Sequence, residues 1–510
     1  MRVRAETALR GVFSGFVAVG AGVAAGELVA LPISRFASPY QAVAAFLVDH
    51  SPAFAREWAI ETFGTGDKQA LMIGMSAIIV LLAALAGLVQ VWRPPLGLVV
   101  VAAFAGLGVL AAATRPTMQP LYVVPPIVSG VVAGAVLILL CRGSSPRTAD
   151  DPEQGWSRRQ FVVAVGVIAA ASAVSGLVAR QVSRAGDILA ERMGLRLPTP
   201  TSTAPAIPPG ADLDVEGATS FMTDNATFYR IDTALQVPQL STDDWQLRIH
   251  GMVDKEVTLT WDDLMAMGAR ERIVTLTCVS NEVGGDLAGT ARWLGFPMTD
   301  ILDQVGVGAD ADMLLSTSVD GWTSGSPLSA ITDGRDAMLV IGMNGEPLPL
   351  EHGYPVRQVI PGLYGYVSAC KWVVDWEITR FDRAQAYWTK RGWGVRGPIK
   401  TASRIDRPAP LSVQPPGKVI VAGTAWAQHR GIDRVEVRVD DGPWQQAELA
   451  PEYSIDTWRQ WFWEWDAPAG QHTLYCRATD KAGRTQPEQR VAPIPDGATG
   501  WHSRVLRIEA

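Results

Sequence analysis

The chain has 510 residues, 48% of them hydrophobic, and a formal charge of −7. That length exceeds one ordinary domain, and the absence of a whole-chain basic excess argues against nucleic acid as a partner. The four cysteines (Cys141, Cys278, Cys370 and Cys476) stand far apart with no CxxC or zinc-ligand spacing, which excludes a disulfide-stapled scaffold and a zinc module.

Five apolar stretches occupy the first 180 residues: 10–31, 70–92, 96–113, 121–141 and 161–179. Each approaches the ~20 residues that cross a bilayer, and only Glu27 places a carboxylate inside one. An N-terminal α-helical membrane region, 1–180, with about five transmembrane helices is expected. Residues 39–63 are moderately apolar but carry Asp49, His50, Arg56 and Glu57, and read as an external interfacial helix. With a cytoplasmic N-terminus, Arg2, Arg4, Arg10, Arg93, Arg142, Arg147, Arg158 and Arg159 lie inside. Arg35, Arg56, Lys68 and Arg115 lie outside. Arg180 and Arg184 weaken that bias without reversing it. An odd number of spans then puts the rest of the chain outside the cytoplasm, a multi-pass cell-membrane protein with an extracytoplasmic catalytic part. "SRRQFVV" (157–163), paired arginines before an apolar run, resembles a twin-arginine export signal.

Residues 181–220, rich in Pro, Thr, Ser and Ala, read as a linker. The region 221–408 mixes strand and helix signals without a doubly wound βαβ series, hence α+β. "WQLRIHGMV" (245–253) alternates as a half-buried strand does. "TLTWDDLMAMG" (258–268) has the form of a capped short helix. "RIVTLTCV" (272–279) reads as a strand ending at Cys278. "RWLGFPMTDILDQVG" (292–306) is expected to turn at Gly295–Pro297 and become helical. From 409 to 510, short alternating runs separated by turns predict an immunoglobulin-like β-sandwich.

Cys278 stands before a polar, glycine-bearing turn. A thiolate there suits a soft-metal centre, would need a nearby base to act as a nucleophile, and is equally at home as a buried core residue. Residue types alone leave these open. The order of blocks around it is more specific: Cys278, then "ARWLGFPMTDIL" (291–302), "MNGEPLPLEHGYPVRQVIPGLYGYVSACKW" (343–372) and "YWTKRGWGVRGPIKTASRID" (387–406). This order resembles the sulfite oxidase family of molybdopterin enzymes. "GTAWAQHRGIDRVEVRVDDGPWQQAEL" (423–449) resembles that family's dimerisation domain.

The resemblance implies molybdenum and molybdopterin as cofactors, with Cys278 the single protein ligand of the metal. It implies that Arg230, Asp320, His352, Arg357, Ser368 and Lys371 hold the pterin, and that the C-terminal domain forms a homodimer. Multi-donor cations on loops are what a buried phosphate needs. The departures concern substrate. Sulfite oxidases carry Cys-Ala-Gly-Asn-Arg-Arg here, whereas this chain has Cys278-Val279-Ser280-Asn281-Glu282-Val283. Trp393 takes the place of a family tyrosine, Tyr387 is the nearest phenol in sequence, and Arg292 could return a cation from another position.

The expected function is membrane-anchored oxo transfer on a small S- or N-containing substrate. The alternatives are a sulfite oxidase or dehydrogenase proper, or a cofactor-less binding protein on the same scaffold. The first 180 residues contain only His50, outside the apolar stretches, so an intrachain bis-histidine haem is not expected. The electron partner, a quinone or a cytochrome, is then not encoded here.

Overall fold

A computed structural model describes residues 2–34, 37–52, 66–115, 119–142, 157–181 and 185–509, together with 55, 58, 62 and 63. The chain forms two compact units: Met1–Gly186 with Ala234–Gln236, and Asp187–Thr233 with Val237–Ala510.

The first unit is helical: α1 (Arg2–Ala30), α2 (Pro39–His50), α3 (Asp67–Trp92), α4 (Leu96–Ala113), α5 (Val124–Arg142) and α6 (Arg158–Gln181). Four of its segments, Glu6–Ala30, Lys68–Trp92, Leu96–Ala113 and Pro120–Cys141, are long and apolar enough to cross a membrane. The expected fifth, α6, is helical throughout, but among the described residues its apolar part, Arg159–Ala173, is shorter than a span. Ser157 starts α6 through a reciprocal cap: Gln160 N–H donates to Ser157 Oγ (3.2 Å), and Ser157 N–H donates to the Gln160 side chain (2.9 Å). Glu27 accepts from Ser38 Oγ (2.8 Å) and Tyr40 N–H (3.4 Å), so it fastens the start of α2 to α1. Of the stretch 39–63 expected to form one helix, α2 covers Pro39–His50. Of the orientation residues, Arg35, Arg56, Arg147 and Arg184 lie outside the described residues, as do the side chains of Arg2, Arg4, Arg142, Arg158 and Arg180.

The second unit opens at Asp187, within α7 (Ala185–Gly194), and continues in a segment that is not a free tether. Thr201 N–H donates to Ala269 O (2.7 Å), Ala204 N–H to Glu271 Oε2 (3.1 Å) and Leu213 N–H to the Gln460 side chain (2.5 Å). Its prolines deny it regular structure, yet these three amides find acceptors on β-strand residues and their flanks, so the segment is packed where a free linker was expected.

Two sheets build the α+β part. The first has the order β2 (Val257–Thr260), β1 (Gln246–Gly251), β10 (Val373–Thr379), β5 (Met313–Ser318) and β6 (Thr323–Pro327), with β1 and β10 parallel. The second orders β3 (Arg270–Thr277), β4 (Ala288–Pro297), β7 (Met338–Met343) and β8 (Glu346–Pro347), and β9 (Arg357–Val359) also pairs with β7. Strand β1 alternates exposed and buried residues as its sequence predicts. The short helix α8 (Trp261–Met265) starts at a capping box between Thr260 and Asp263.

One expectation fails. β4 runs straight through Gly295 to Pro297, and helix α9 (Met298–Val305) follows. The register against β7 shifts between Leu294 and Gly295, where an added Cβ would collide with Leu339 O. Gly295 therefore permits a close backbone approach at a bulge and makes no turn.

The C-terminal part has two sheets. One orders β11 (Ala402–Arg407), β13 (Gly417–Trp426), β17 (Arg459–Ala467) and β16 (Glu448–Leu449). The other orders β12 (Val413–Gln414), β19 (His502–Ile508), β18 (Gly470–Asp480), β14 (Ile432–Val439) and β15 (Gln445–Gln446). Val421, Val435, Val437, Trp461, Leu474 and Cys476 fill the core of this part. Because β11 pairs with β13, this part begins near 402, ahead of the expected 409.

Candidate active site

Cys278 directly follows β3, the edge strand of its sheet, and is buried. β4 pairs with one edge of β3. C-terminal residues hold the other: Thr275 N–H donates to Asp456 O (3.0 Å), Trp458 N–H to Thr275 Oγ1 (2.8 Å), and Gln428 Nε2 to Thr277 Oγ1 (2.9 Å). The chain then turns, with Asn281 N–H donating to Cys278 O (3.1 Å) and Asn281 Oδ1 accepting from Leu287 N–H (2.8 Å). Burial pushes the Cys278 thiol up, partly opposed by hydrogen bonds from Ser280.

The cationic residues gather from two blocks. An isolated bridge joins Arg357 to Lys371, and both side chains are buried. Arg357 Nη1 donates to His352 O (3.1 Å), and its guanidinium lies 5.1 Å from the Trp293 ring centre. It has no carboxylate partner among the described residues, and burial pushes it down to about 10. Lys371 Nζ donates to Asp232 Oδ2 (2.8 Å) and Glu351 O (3.0 Å). Burial pulls it down to about 8 against the opposing pull of Asp232. His352 is held near Asn225 O (3.3 Å) and is pushed down to about 3 by burial, then by Arg357 and Lys371. It is therefore neutral. Asp320 is pushed up by burial and lies within electrostatic reach of Asp232 and Lys371.

Two expected members hold other posts. Arg230 is half-exposed and donates to Asp232 Oδ2 (2.9 Å). Ser368 is fully buried, and its hydroxyl bonds to Leu363 O (2.9 Å) and Tyr364 O (3.1 Å), which fixes the turn carrying Tyr364. A Cβ on Gly365 would stand 3.8 Å from Tyr229 Oη and 3.9 Å from Thr277 O, so that turn abuts the end of β3. Tyr229 and Tyr364 both lie within electrostatic reach of Cys278. Burial raises both phenols, Tyr364 to about 12.

The substrate-side expectations fare differently. Glu282 is exposed, whereas Cys278 is buried. The turn that buries Asn281 turns the next side chain outward. Arg292 donates to Glu271 Oε2 (3.0 Å) and is no free replacement cation. Tyr387 lies under the Arg391 guanidinium, 3.5 Å away, and its N–H donates to Thr323 Oγ1 (2.9 Å). Trp393 packs beside Tyr366 (6.0 Å) and Trp388 (6.2 Å). Residue-type reasoning missed Tyr229 and Asp232, although both flank Arg230 in "FYRID". It also missed Asn225 and Gln428, which carry no local signal.

Residues 234–388 match the family model for the oxidoreductase molybdopterin-binding domain. The mitochondrial sulfite oxidase of Rattus norvegicus is 30% identical over 336 residues, 54% of this chain and 59% of that protein. The chain thus spans about three fifths of that relative. An oxidoreductase of Bacillus subtilis described as uncharacterized, YuiH, is 31% identical over 153 residues, 30% of this chain and 74% of that protein. The crystal structure of the sulfane dehydrogenase SoxCD from Paracoccus pantotrophus aligns with a TM-score of 0.49 at 22% identity, covering 57% of this chain and 84% of that chain.

Proposed function

Because the chain belongs to the sulfite oxidase family of molybdopterin-dependent oxidoreductases, and so takes a molybdenum cofactor, we propose that it performs oxo transfer on a small S- or N-containing substrate from a membrane anchor. The observation that carries this reading is Arg357. A buried guanidinium without a carboxylate costs several kcal/mol unless an anion joins it. With Lys371 and neutral His352 beside it, the donor set fits a phosphate. A cofactor-less binding protein would bear that cost for nothing.

The metal side fits as well. Cys278 would supply one thiolate to the metal, and the cofactor would bring the other ligands. When bound, the molybdenum centre supplies two-electron oxo transfer. Arg357, His352 and Lys371 hold the phosphate, and Asp232 keeps Lys371 aimed. Asp320 offers a buried acceptor to the pterin, while Arg230 acts through Asp232. Ser368 acts through the Tyr364 turn, and Tyr229 lies within electrostatic reach of both Cys278 and Arg357.

A neutral S- or N-oxide is the favoured substrate class, since the arginines that receive sulfite in the family are replaced by Glu282 and Val283. Sulfite oxidation proper is the second reading, and exposure of Glu282 removes one objection to it. With α6 counted as a fifth span, the excess of basic residues on one side of the spans and "SRRQFVV" support an extracytoplasmic catalytic unit, exported folded. The C-terminal domain is read as an immunoglobulin-like homodimerisation module, and the electron partner as a quinone or a cytochrome.

Molybdenum and pterin analysis of the full-length protein, with turnover of sulfite and of neutral S- and N-oxides using artificial electron carriers, tests this reading. Stoichiometric metal with turnover is expected; a folded protein without metal would overturn it. Protease added to spheroplasts should release the catalytic unit, and Arg158→Lys with Arg159→Lys should stop its export.

A further inference from the structure

The loop 491–500 of the C-terminal domain reaches the catalytic domain at the turn bearing Trp393. Gly394 N–H donates to Pro495 O (2.9 Å), and Lys400 Nζ donates to Gly497 O (2.7 Å). Tyr366 Oη donates to Gly394 O (2.6 Å), so Tyr366, Trp393 and this loop form one assembly. A Cβ on Gly394 would collide with Asp496 Oδ1, and one on Gly497 with Tyr364 Oη. Asp496 is thus seated against the backbone beside Trp393 and next to the residue that covers Tyr364.

Asp496 is exposed, and it has no ion pair or side-chain hydrogen bond among the described residues. Its charge is felt at both Tyr364 and Tyr366. Tyr364 in turn lies within electrostatic reach of Cys278. Three cations nearby are engaged elsewhere. Arg391 stacks on Tyr387, Arg396 on Phe381 (5.4 Å), and Lys400 is drawn onto the Gly497 carbonyl. Trp388, Trp393 and Tyr366 form an aromatic wall, with Arg391 held on Tyr387 beside Trp388.

We propose that Asp496, supplied by the C-terminal domain, is a specificity residue of the catalytic site. With the Trp388–Trp393–Tyr366 wall it admits neutral S- or N-oxides and repels oxyanions. The proposal rests on the molybdenum reading of Cys278 and adds the group that replaces the outward-pointing Glu282 as the source of discrimination. An unpaired carboxylate lowers the local concentration of anions and leaves neutral solutes unaffected.

The test uses the full-length, molybdenum-loaded protein in detergent and inorganic sulfate as the anion probe, titrated calorimetrically at low ionic strength. Asp496→Asn should bind sulfate about two- to threefold more tightly than the parent, and Asp496→Lys more tightly still. The gain should shrink as salt rises through the range where the Debye length falls below ~10 Å. The ratio of kcat/KM for sulfite to that for methyl phenyl sulfoxide, each with an artificial electron carrier, should rise by a similar factor. Glu448→Gln, an exposed carboxylate on β16, should change neither. Sulfate affinity equal in the parent and both Asp496 variants, or undetectable in all three, overturns the proposal. Missing molybdenum would instead overturn the molybdenum reading, and the sulfate titration reads independently of it.

Discussion

The cradle around Arg357 and the rim around Trp393 differ in the sign of charge they leave unmatched. In the cradle, buried Arg357 lacks a carboxylate among the described residues, and Asp232 is shared by Lys371 and Arg230. At the rim, exposed Asp496 lacks a cation among the described residues. Burial makes the first imbalance expensive, so it points to a resident anion. Exposure makes the second inexpensive, so it can act only on what arrives.

The largest expected effect lies where the two ends meet. Cys278→Ser should remain folded and lose turnover to background. That loss exceeds the 10–100-fold typical of removing an outer-shell partner of a metal site. Wild-type turnover in the variant, measured at equal molybdenum content, would break the comparison at its root.

Arg357→Met sharpens the cradle side because its two effects carry opposite signs. Removing an unmatched buried cation should stabilise the cofactor-free protein by about 2 kcal/mol. The same change should lower cofactor retention at least tenfold, read as pterin content after gel filtration. A cofactor-free variant that melts lower than the parent would show that Arg357 is already neutralised.

His502 tests the contact of the C-terminal domain with the turn after Cys278. It is pushed down from 6.5 to about 3, chiefly by burial, and its Nδ1 accepts from Ile405 N–H (2.9 Å). The unfolded chain binds a proton that the folded chain refuses between those values. Stability from this group is therefore full above pH 6.5 and falls as pH drops toward 3. By pH 4.5 the loss is roughly 2–3 kcal/mol. His502→Gln should flatten that slope in thermal melts between pH 7 and 4.5, and an unchanged slope would contradict it.

The smallest effect belongs to Glu282. Its exposure predicts that Glu282→Gln changes sulfite kcat/KM by less than about threefold, within what an exposed charge supplies. A larger change would return the discrimination to Glu282 and away from Asp496.

The uneven legibility of the sequence has the same physical origin. A strand ending at Cys278, the Thr260 cap and the alternation of β1 are local patterns, and local patterns survive in sequence. The block order around His352, Arg357 and Lys371 was legible through resemblance. Asp232 was not, because its partner Lys371 lies 139 residues away. Nor was the direction of Glu282, which a turn decides, or the packing of the proline-rich segment, which depends on amides finding distant acceptors. Glycine followed by Phe-Pro reads as a turn until the neighbouring strand shows that Gly295 admits a close approach.

The claim that Cys278 completes a molybdenum site is tested most directly by molybdenum K-edge X-ray absorption on the purified parent and on Cys278→Ser. The account predicts molybdenum in both, with one sulfur scatterer fewer in the variant. An unchanged sulfur shell, or a folded parent without molybdenum, would contradict it.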